Sequence, residues 1–350
     1  MTSPMRLMKA AVLRQHGEPL TIEELEVPAP GPGQLLVKVA YSGFCRKQLE
    51  EMAGIRPDPF IPHLLGHEGS GVVEAVGDGV EVAAEGDHVI LSWIAGAGVQ
   101  SETPEYGSAS GPVNAGWVTT FNQYVVVSEN RVTAIRADMP LDKAALLGCA
   151  VPTGAGTFFN EPGIGPDASV AIFGVGGIGL NAIQAAASRN VGMIIAIDVH
   201  DSKLEMAREF GATHTVNGRK EDAVEAVKAL TDGVGAEFTF ESAGLIVTME
   251  QAYEAAAIRT GKVILAGVNP ASEKLSIDPY PLHFGKVLTG TAGGSSKPAV
   301  DYPRYVDLYL DGKWKLDELI THRFTLDEIN EAASALESGR AGRVIIDLWP

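Results

Sequence analysis

Cysteine, basic residues and long apolar runs are all scarce in this chain of 350 residues. Two cysteines cannot build a disulfide framework, which indicates a reducing compartment or a specific chemical use of those two thiols. The chain carries 27 lysines and arginines against 44 aspartates and glutamates, a formal net charge of −17 at pH 7. Because such a field repels phosphate backbones and anionic membrane surfaces, we expect no nucleic-acid or membrane partner.

The apolar runs are too short to cross a bilayer, which requires roughly 18 consecutive apolar residues. Glycines interrupt even the most apolar run, VAIFGVGGIGL at 170–180. Near the N-terminus, Arg14, His16 and Glu18 break up the segment before a signal-peptide core could form. We therefore expect a cytoplasmic protein. The remaining composition, 45% hydrophobic with 40 glycines, is typical of a folded chain of two domains.

The pattern of predicted secondary structure changes along the chain. Short β-type runs separated by glycine and proline fill the first third, which predicts a strand-rich domain. From about Ala168, buried-strand runs alternate with alanine-rich helical runs, as in a parallel βαβ sheet. We therefore expect an α/β protein in which a doubly wound parallel sheet at 153–294 is inserted into a strand-rich domain formed by 1–152 and 295–350.

A glycine-rich turn follows the first predicted strand of that sheet, and a segment of helical composition follows the turn. Glycines permit a tight turn and let backbone N–H groups approach a pyrophosphate at the positive end of a helix. Asp198 ends the next strand, where a carboxylate accepts hydrogen bonds from the adenosine ribose and repels a 2′-phosphate. The pattern predicts binding of NAD rather than NADP, with the turn formed by Gly174, Gly176, Gly177, Ile178 and Gly179.

Residues 66–80, GHEGSGVVEAVGDGV, match the signature GHExxGx5Gx2V without a gap. Further similar segments are GFCRKQ around Cys45, LLGCAVPTGAGT around Cys149, and THRFTLDEINEA at 321–332. On these segments the chain resembles the zinc-dependent alcohol dehydrogenases of the medium-chain dehydrogenase/reductase superfamily over nearly its whole length. The resemblance implies a GroES-like catalytic domain, which binds zinc and substrate, together with a Rossmann coenzyme domain.

The resemblance also implies one catalytic zinc ion held by Cys45, His67 and Cys149. Zinc accepts thiolate and imidazole ligands, and a catalytic site keeps one position open for water or an alcohol oxygen. Glu68 is implied as a transient ligand during exchange of water or substrate. The alternative for Glu68 is a buried acid paired with a nearby cation.

Coenzyme and substrate contacts follow from the same resemblance. The implied coenzyme contacts are Arg46 and Arg343 on the pyrophosphate, Lys203 on the adenosine ribose, Thr153 and Ile178 beside the nicotinamide, and Val268. Arg343 could equally solvate the surface. Trp93 and Phe121 fall where the family lines its substrate pocket, although either could be an ordinary core aromatic.

One departure from the family concerns a second, structural zinc, which many relatives bind through four cysteines in a lobe corresponding to 95–116. This segment contains neither cysteine nor histidine, so we expect no structural zinc and a lobe held by packing or by an oligomer contact. Because tetramers of the family often use that lobe, both a homodimer and a homotetramer stay open.

A second departure lies directly after the first implied zinc ligand. Lys47 stands where the family usually has a serine or threonine that passes on the alcohol proton, and Gln48 stands where an aspartate usually orients the zinc histidine. Lys47 could accept the proton, grip a charged group or hydroxyl of the substrate, or face solvent. The amide oxygen of Gln48 is expected to accept a hydrogen bond from His67.

The expected function is hydride transfer between an alcohol and NAD, giving an aldehyde or ketone, or the reverse reaction. A polyol, cyclitol or sugar-derived alcohol is compatible with the polar Lys47 and Glu50, whereas Trp93 favours an apolar wall. Two alternatives stay open: a zinc-free quinone or enone reductase of the same superfamily, and a non-catalytic relative that binds NAD or zinc.

Overall fold

The computed structural model describes residues 6–55, 60–269, 272–339 and 341–350. The chain divides into two compact units, one formed by 1–149 with 297–350 and the other by 150–296. The second unit is therefore inserted into the first. Among the described residues, no helix has both the length and the apolar character needed to cross a membrane.

The N-terminal part of the first unit is rich in strands. Its elements are β1 (Arg6–Leu13), β2 (Thr21–Val27), β3 (Gln34–Phe44), α1 (Arg46–Met52), β4 (His63–Leu64), β5 (Glu68–Val76), β6 (His88–Ser92), β7 (Glu105–Tyr106), β8 (Val113–Asn114), β9 (Tyr124–Ser128), β10 (Val132–Ile135) and α2 (Leu141–Ala144).

The second unit alternates strands and helices. Its elements are α3 (Thr157–Asn160), β11 (Ser169–Phe173), α4 (Gly177–Ser188), β12 (Met193–Asp198), α5 (Asp201–Glu209), β13 (His214–Asn217), α6 (Ala223–Leu230), β14 (Phe238–Glu241), α7 (Ile246–Ala255), β15 (Lys262–Leu265) and β16 (Val287–Gly290). The chain then returns to the first unit with α8 (Pro298–Leu310), β17 (Ile320–Thr325), α9 (Ile329–Glu337) and β18 (Arg343–Asp347).

The strands of the second unit form a parallel sheet in the order β13-β12-β11-β14-β15-β16. This order reverses direction at β11, as in a doubly wound dinucleotide-binding sheet. The strands are short apolar runs such as SVAIF in β11, because a parallel sheet is covered on both faces. The predicted parallel sheet is confirmed.

The larger sheet of the first unit has the order β10-β6-β5-β3-β18-β17, with β9 also paired to β3. Leu35, Val37 and Val39 lie two residues apart on β3, so they share one face, and all three are fully buried. They belong to the main apolar core of this unit, which also contains Phe121 and Ile346. Strand β18 therefore fastens the C-terminal end of the chain into the N-terminal domain.

The predicted lobe at 95–116 is ordered by packing. Strands β7 and β8 extend a second sheet of order β2-β1-β4-β8-β7. Tyr106 and Val113 of the lobe are fully buried in a cluster with Met8, Val12 and Leu25. The hydroxyl of Tyr106 also accepts a hydrogen bond from the Val126 backbone N–H at 2.8 Å.

Candidate functional site

Four potential metal ligands meet within the first unit. Cys45 follows β3 and precedes α1, His67 and Glu68 lie at the start of β5, and Cys149 follows a short 3-10 turn at 145–148. One donor atom from each of these four side chains lies within 4.8 Å of the others. Three separate stretches of the sequence therefore converge on one point.

Gly66 provides the tight backbone conformation directly before His67. Its φ of +91° lies in the left-handed region, and a Cβ there would come within 2.4 Å of Thr120 Oγ1 and 2.8 Å of the Phe121 backbone nitrogen. Only glycine satisfies both conditions. The glycine of the GHE motif is therefore required by backbone packing directly before His67.

The two thiols have opposite acidities. The hydrogen bond donated by Cys149 is the largest cause that holds the pKa of Cys45 well below its usual value, and a hydrogen bond from His67 adds to it. The same bond to Cys45, together with burial, raises the pKa of Cys149 well above its usual value. Burial alone would lower the pKa of His67, but the Cys45 thiolate outweighs it and raises that pKa. Cys45 is therefore the more acidic of the two thiols and accepts hydrogen bonds from both neighbours.

Glu68 is fully buried and forms an ion pair with Arg343, which is 7% exposed. Burial raises the pKa of Glu68 against the opposing effect of the Arg343 charge. Glu68 Oε2, in contrast, has no hydrogen-bond partner within the described part of the chain. The alternative of a buried acid paired with a cation is therefore what the structure shows.

Arg343 is buried, so the alternative of an arginine that solvates the surface is wrong. Burial by itself would lower the pKa of Arg343, but Glu68 and then the two cysteines outweigh it and raise that pKa. The guanidinium is held by the carboxylate of Glu68, and its expected contact with a coenzyme pyrophosphate stays a prediction. Arg46, the other arginine expected there, is exposed on the first unit.

Gln48 lies beside His67, as expected, but its amide nitrogen rather than its amide oxygen faces the ring. The amide nitrogen of Gln48, not the oxygen, lies 2.8 Å from His67 Nδ1. The oxygen accepts a hydrogen bond from the Gly66 backbone N–H instead. The expected acceptance from His67 by the amide oxygen is therefore wrong for this structure, because Gly66 occupies that oxygen.

Lys47 turns toward its own helix. Its ammonium lies 3.3 Å from Glu51 Oε1 and 3.8 Å from Glu50 Oε2. Two carboxylates of α1 therefore hold the ammonium along the helix. The side chain is 31% exposed, so contact with solvent or with a substrate group stays open.

A cavity of about 200 Å³ opens beside His67. Trp93 lines it, as expected, and the lining also includes Gln48, Glu51, His63, His67 and Trp117. Phe121, the other expected lining residue, is fully buried and packs against Phe44 with ring centroids 4.9 Å apart. The structure therefore corrects Phe121 to a core residue, as the competing sequence interpretation allowed.

Sequence reasoning missed Glu51, His63 and Trp117. Glu51 had one usable signal, because it lies three residues after Gln48 and so on the same face of α1. His63 and Trp117 had none, since the fold alone brings β4 and the segment after the lobe to the cavity.

The glycine turn in the second unit has the expected form. It joins β11 to α4, with Gly176 as the N-cap residue. A Cβ on Gly179 would come within 2.0 Å of the Gly174 carbonyl oxygen, so close packing of helix against turn requires glycine. Asp198 ends β12 and accepts hydrogen bonds from the backbone N–H groups of Val175 and Val199.

The remaining expected coenzyme residues are spread over the second unit. Thr153 is buried, Ile178 lies in the first turn of α4, Lys203 lies on α5, and Val268 is 49% exposed after β15.

The chemistry of the cluster fits a zinc ion. It offers two sulfur donors and an imidazole, the ligand types that zinc prefers. An unpaired carboxylate oxygen of Glu68 stands beside them as a fourth donor.

Comparison with known proteins agrees with this geometry. Residues 31–137 match the family model "Alcohol dehydrogenase GroES-like domain", and residues 177–311 match "Zinc-binding dehydrogenase". The S-(hydroxymethyl)glutathione dehydrogenase of Paracoccus denitrificans is 33% identical over 97% of this chain and 99% of its own length.

Two solved structures cover 99% of this chain and all of their own chains. The alcohol dehydrogenase zinc-binding domain protein of Burkholderia ambifaria is 32% identical, with a TM-score of 0.91. The benzyl alcohol dehydrogenase of Acinetobacter calcoaceticus is 31% identical, with a TM-score of 0.89.

Fold and site together define a dehydrogenase that combines a dinucleotide-binding sheet with a thiol and imidazole metal centre. The chain belongs to the zinc-dependent alcohol dehydrogenase family of the medium-chain dehydrogenase/reductase superfamily. It is an alcohol oxidoreductase, and the alternative of a zinc-free quinone or enone reductase is not favoured.

Proposed function

We propose that this enzyme transfers hydride between a neutral ring alcohol and NAD, with one zinc ion per chain at Cys45, His67 and Cys149. The observation that carries the proposal is the convergence of these donors, with Glu68, within 4.8 Å. Bound zinc would supply Lewis acidity toward the alcohol oxygen. Arg343 holds Glu68 by its ion pair, which leaves the sulfur and imidazole donors as the resident set.

The metal assignment is tested by elemental analysis of the purified protein and of Cys149→Ala. We expect one zinc per native chain, and loss of both zinc and alcohol oxidation in the variant. NAD binding should persist in the variant, because the glycine turn belongs to the other unit. Two zinc ions per native chain would contradict the absence of ligands from the lobe at 95–116.

Coenzyme choice rests on Asp198, whose carboxylate ends β12 beside the glycine turn. A carboxylate accepts from the hydroxyls of a free ribose and repels a 2′-phosphate. We expect much higher kcat/KM with NAD than with NADP, and Asp198→Ser should narrow the difference. Equal kcat/KM with both coenzymes in the native enzyme would contradict this choice.

The cavity supports a substrate of about one ring. Its volume of about 200 Å³ exceeds the roughly 150 Å³ cavity that holds benzene in another protein. Trp93 and Trp117 offer flat apolar walls, while Glu51 and His63 offer groups that bind hydroxyls. These features favour a polyol, cyclitol or sugar-derived alcohol.

The same lining disfavours the substrate named for the Paracoccus relative. A glutathione adduct carries carboxylates, whereas the described lining residues include no lysine or arginine and do include Glu51. A panel of cyclitols, benzyl alcohol and S-(hydroxymethyl)glutathione with NAD, followed by NADH absorbance, tests this order. Highest kcat/KM on the glutathione adduct would overturn it.

A non-catalytic relative stays the second candidate, because Lys47 and Gln48 replace the residues that usually handle the proton and orient the histidine. Zinc and NAD binding without turnover of any alcohol in the panel would favour that candidate. For the setting of either function we propose a cytoplasmic homodimer or homotetramer, since paired reduced thiols need a reducing compartment.

A further inference from the structure

The side-chain amide of Gln48 is a hydrogen-bonding hub next to the proposed metal centre. Gln48 is 2% exposed and contacts three groups: Gly66, Glu51 and His67. Its nitrogen lies 2.7 Å from Glu51 Oε2 and 2.8 Å from His67 Nδ1, and its oxygen accepts from the Gly66 N–H.

Two of these neighbours fix which end of the amide faces His67. A carboxylate only accepts hydrogen bonds, so Glu51 requires the amide nitrogen on its side. A backbone N–H only donates, so Gly66 requires the amide oxygen on the other side. Since the nitrogen that faces Glu51 also faces His67, Gln48 donates to Nδ1. In the neutral ring, Nδ1 therefore acts as the acceptor and the proton lies on Nε2, where it can bond Cys45.

A metal ion needs the opposite arrangement. A histidine that binds metal through one ring nitrogen donates its other N–H to an acceptor. On metal entry, the Nε2 proton must leave for solvent, and a proton from solvent must bind Nδ1. The amide of Gln48 would then have to turn over, which sets its nitrogen against the Gly66 N–H and its oxygen against the Glu51 carboxylate.

We propose that Gly66, Gln48 and Glu51 form an amide latch that holds His67 in its metal-free hydrogen-bonded form and weakens metal binding. This inference rests on the metal centre of the proposed function. The negative charge of Glu51 would by itself attract a metal cation. Lys47, 3.3 Å from the other oxygen of Glu51, offsets part of that charge. Lys47 and Gln48, the two departures from the family pattern, thus belong to one network.

The double variant Gln48→Glu/Glu51→Gln releases the latch while keeping the net charge and both side-chain lengths. A carboxylate at position 48 can accept from Gly66 N–H and from Nδ1–H at once, and an amide at position 51 can donate to it. We expect its zinc affinity, measured by competition with a chromophoric chelator, to rise by about 10-fold over the native protein. Glu51→Gln alone should show a smaller rise.

Glu50→Gln is the matched control. It removes the same charge from the same helix beside Lys47, but Glu50 does not contact Gln48. We expect an unchanged zinc affinity. A double variant that binds zinc no more tightly than the native protein, or a control that gains as much as Glu51→Gln, overturns the latch.

A direct measurement needs no variant. In metal-free native protein labelled with ¹⁵N-histidine, long-range ¹H–¹⁵N correlation should show His67 protonated at Nε2 and unprotonated at Nδ1; His67→Gln identifies its signals. Protonation at Nδ1, alone or together with Nε2, overturns the latch even where the double variant fails to fold. Absence of zinc binding from every protein refutes the metal centre instead, and the correlation spectrum still decides the hydrogen-bond assignment.

Discussion

Lys286 is the most unusual single residue outside the site, because it is a lysine with only 5% exposure. Its ammonium lies 4.3 Å from the centre of the Tyr253 ring and donates to the Tyr253 carbonyl. Burial, with a smaller effect from Lys228, lowers the pKa of Lys286 to about 8, although Glu254 opposes the shift. No carboxylate pairs with Lys286 among the described salt bridges, so Tyr253 offsets the cost of its burial only in part.

That lowered pKa predicts a pH-dependent stability. Between about pH 8 and pH 10.5 the unfolded chain binds the Lys286 proton and the folded chain does not, so stability rises with pH in this window. Lys286→Met lacks this titration. The native protein should therefore gain about 2 kcal/mol of unfolding free energy over Lys286→Met between pH 7 and pH 10. Denaturant unfolding of both proteins at the two pH values measures the change. A difference that does not vary with pH contradicts the prediction.

Trp117 is the residue of the cavity that most directly tests the proposed substrate class. Its indole is 61% exposed, and the Arg131 guanidinium stacks 4.6 Å from its ring centre. Trp117→Ala removes a flat wall, so we expect kcat/KM for a ring alcohol to fall several-fold, about 1 kcal/mol. Trp117→Phe keeps a ring and should lose less. Zinc content should be native in both. Equal kcat/KM in all three proteins would remove Trp117 from the substrate site.

At the scale of elements, the lobe at 95–116 must be stable without a metal of its own. Tyr106 supplies both an apolar anchor and a hydrogen-bond acceptor for Val126. Tyr106→Ala should cost about 3–5 kcal/mol of unfolding free energy. Tyr106→Phe, which leaves the Val126 N–H without its partner, should cost about 1–3 kcal/mol. Thermal or denaturant unfolding measures both, with the exposed Val234→Ala as a control within about 0.5 kcal/mol of native. A native-like Tyr106→Ala would mean that something other than packing orders the lobe.

The same scale shows what sequence patterns can predict. The parallel sheet and its glycine turn were predictable, because their signals are local: an apolar strand, glycines at fixed spacing, and a carboxylate at the next strand end. The amide orientation of Gln48 was not, because it depends on Gly66 and Glu51, whose positions follow from the packing of α1 beside β5. From the sequence, Phe121 could line the substrate pocket or belong to the core, and only the fold decides between the two.

Across the whole molecule, Arg343 illustrates the limit of reading residues one at a time. It lies 275 positions from Glu68 in sequence, yet the two form a buried pair because β18 returns to β3. A motif can suggest that an arginine binds an anion. It does not show that the same guanidinium also pairs with a buried carboxylate, here that of Glu68.

The edge of the parallel sheet bears on the proposed oligomer. Strand β16 is the terminal strand of its sheet, and unpaired backbone groups of an edge strand can pair with another chain. Val287 at its start is 44% exposed, and Tyr280 and Phe284 before it are 64% and 48% exposed. An apolar, unprotected edge of this kind favours association of two copies through their sheets.

Val287→Lys should therefore weaken self-association, because a charge on an apolar edge strand opposes pairing. We expect the native protein to sediment as a dimer or tetramer and the variant to shift toward monomer on dilution, by at least one order of magnitude in dissociation constant, about 1.4 kcal/mol. Val300→Lys is the matched control, since Val300 is 65% exposed on α8 of the first unit and is not part of the parallel sheet. Analytical ultracentrifugation over a range of concentrations distinguishes the cases. A variant that keeps the native association, or a control that loses it equally, places the interface elsewhere on the molecule.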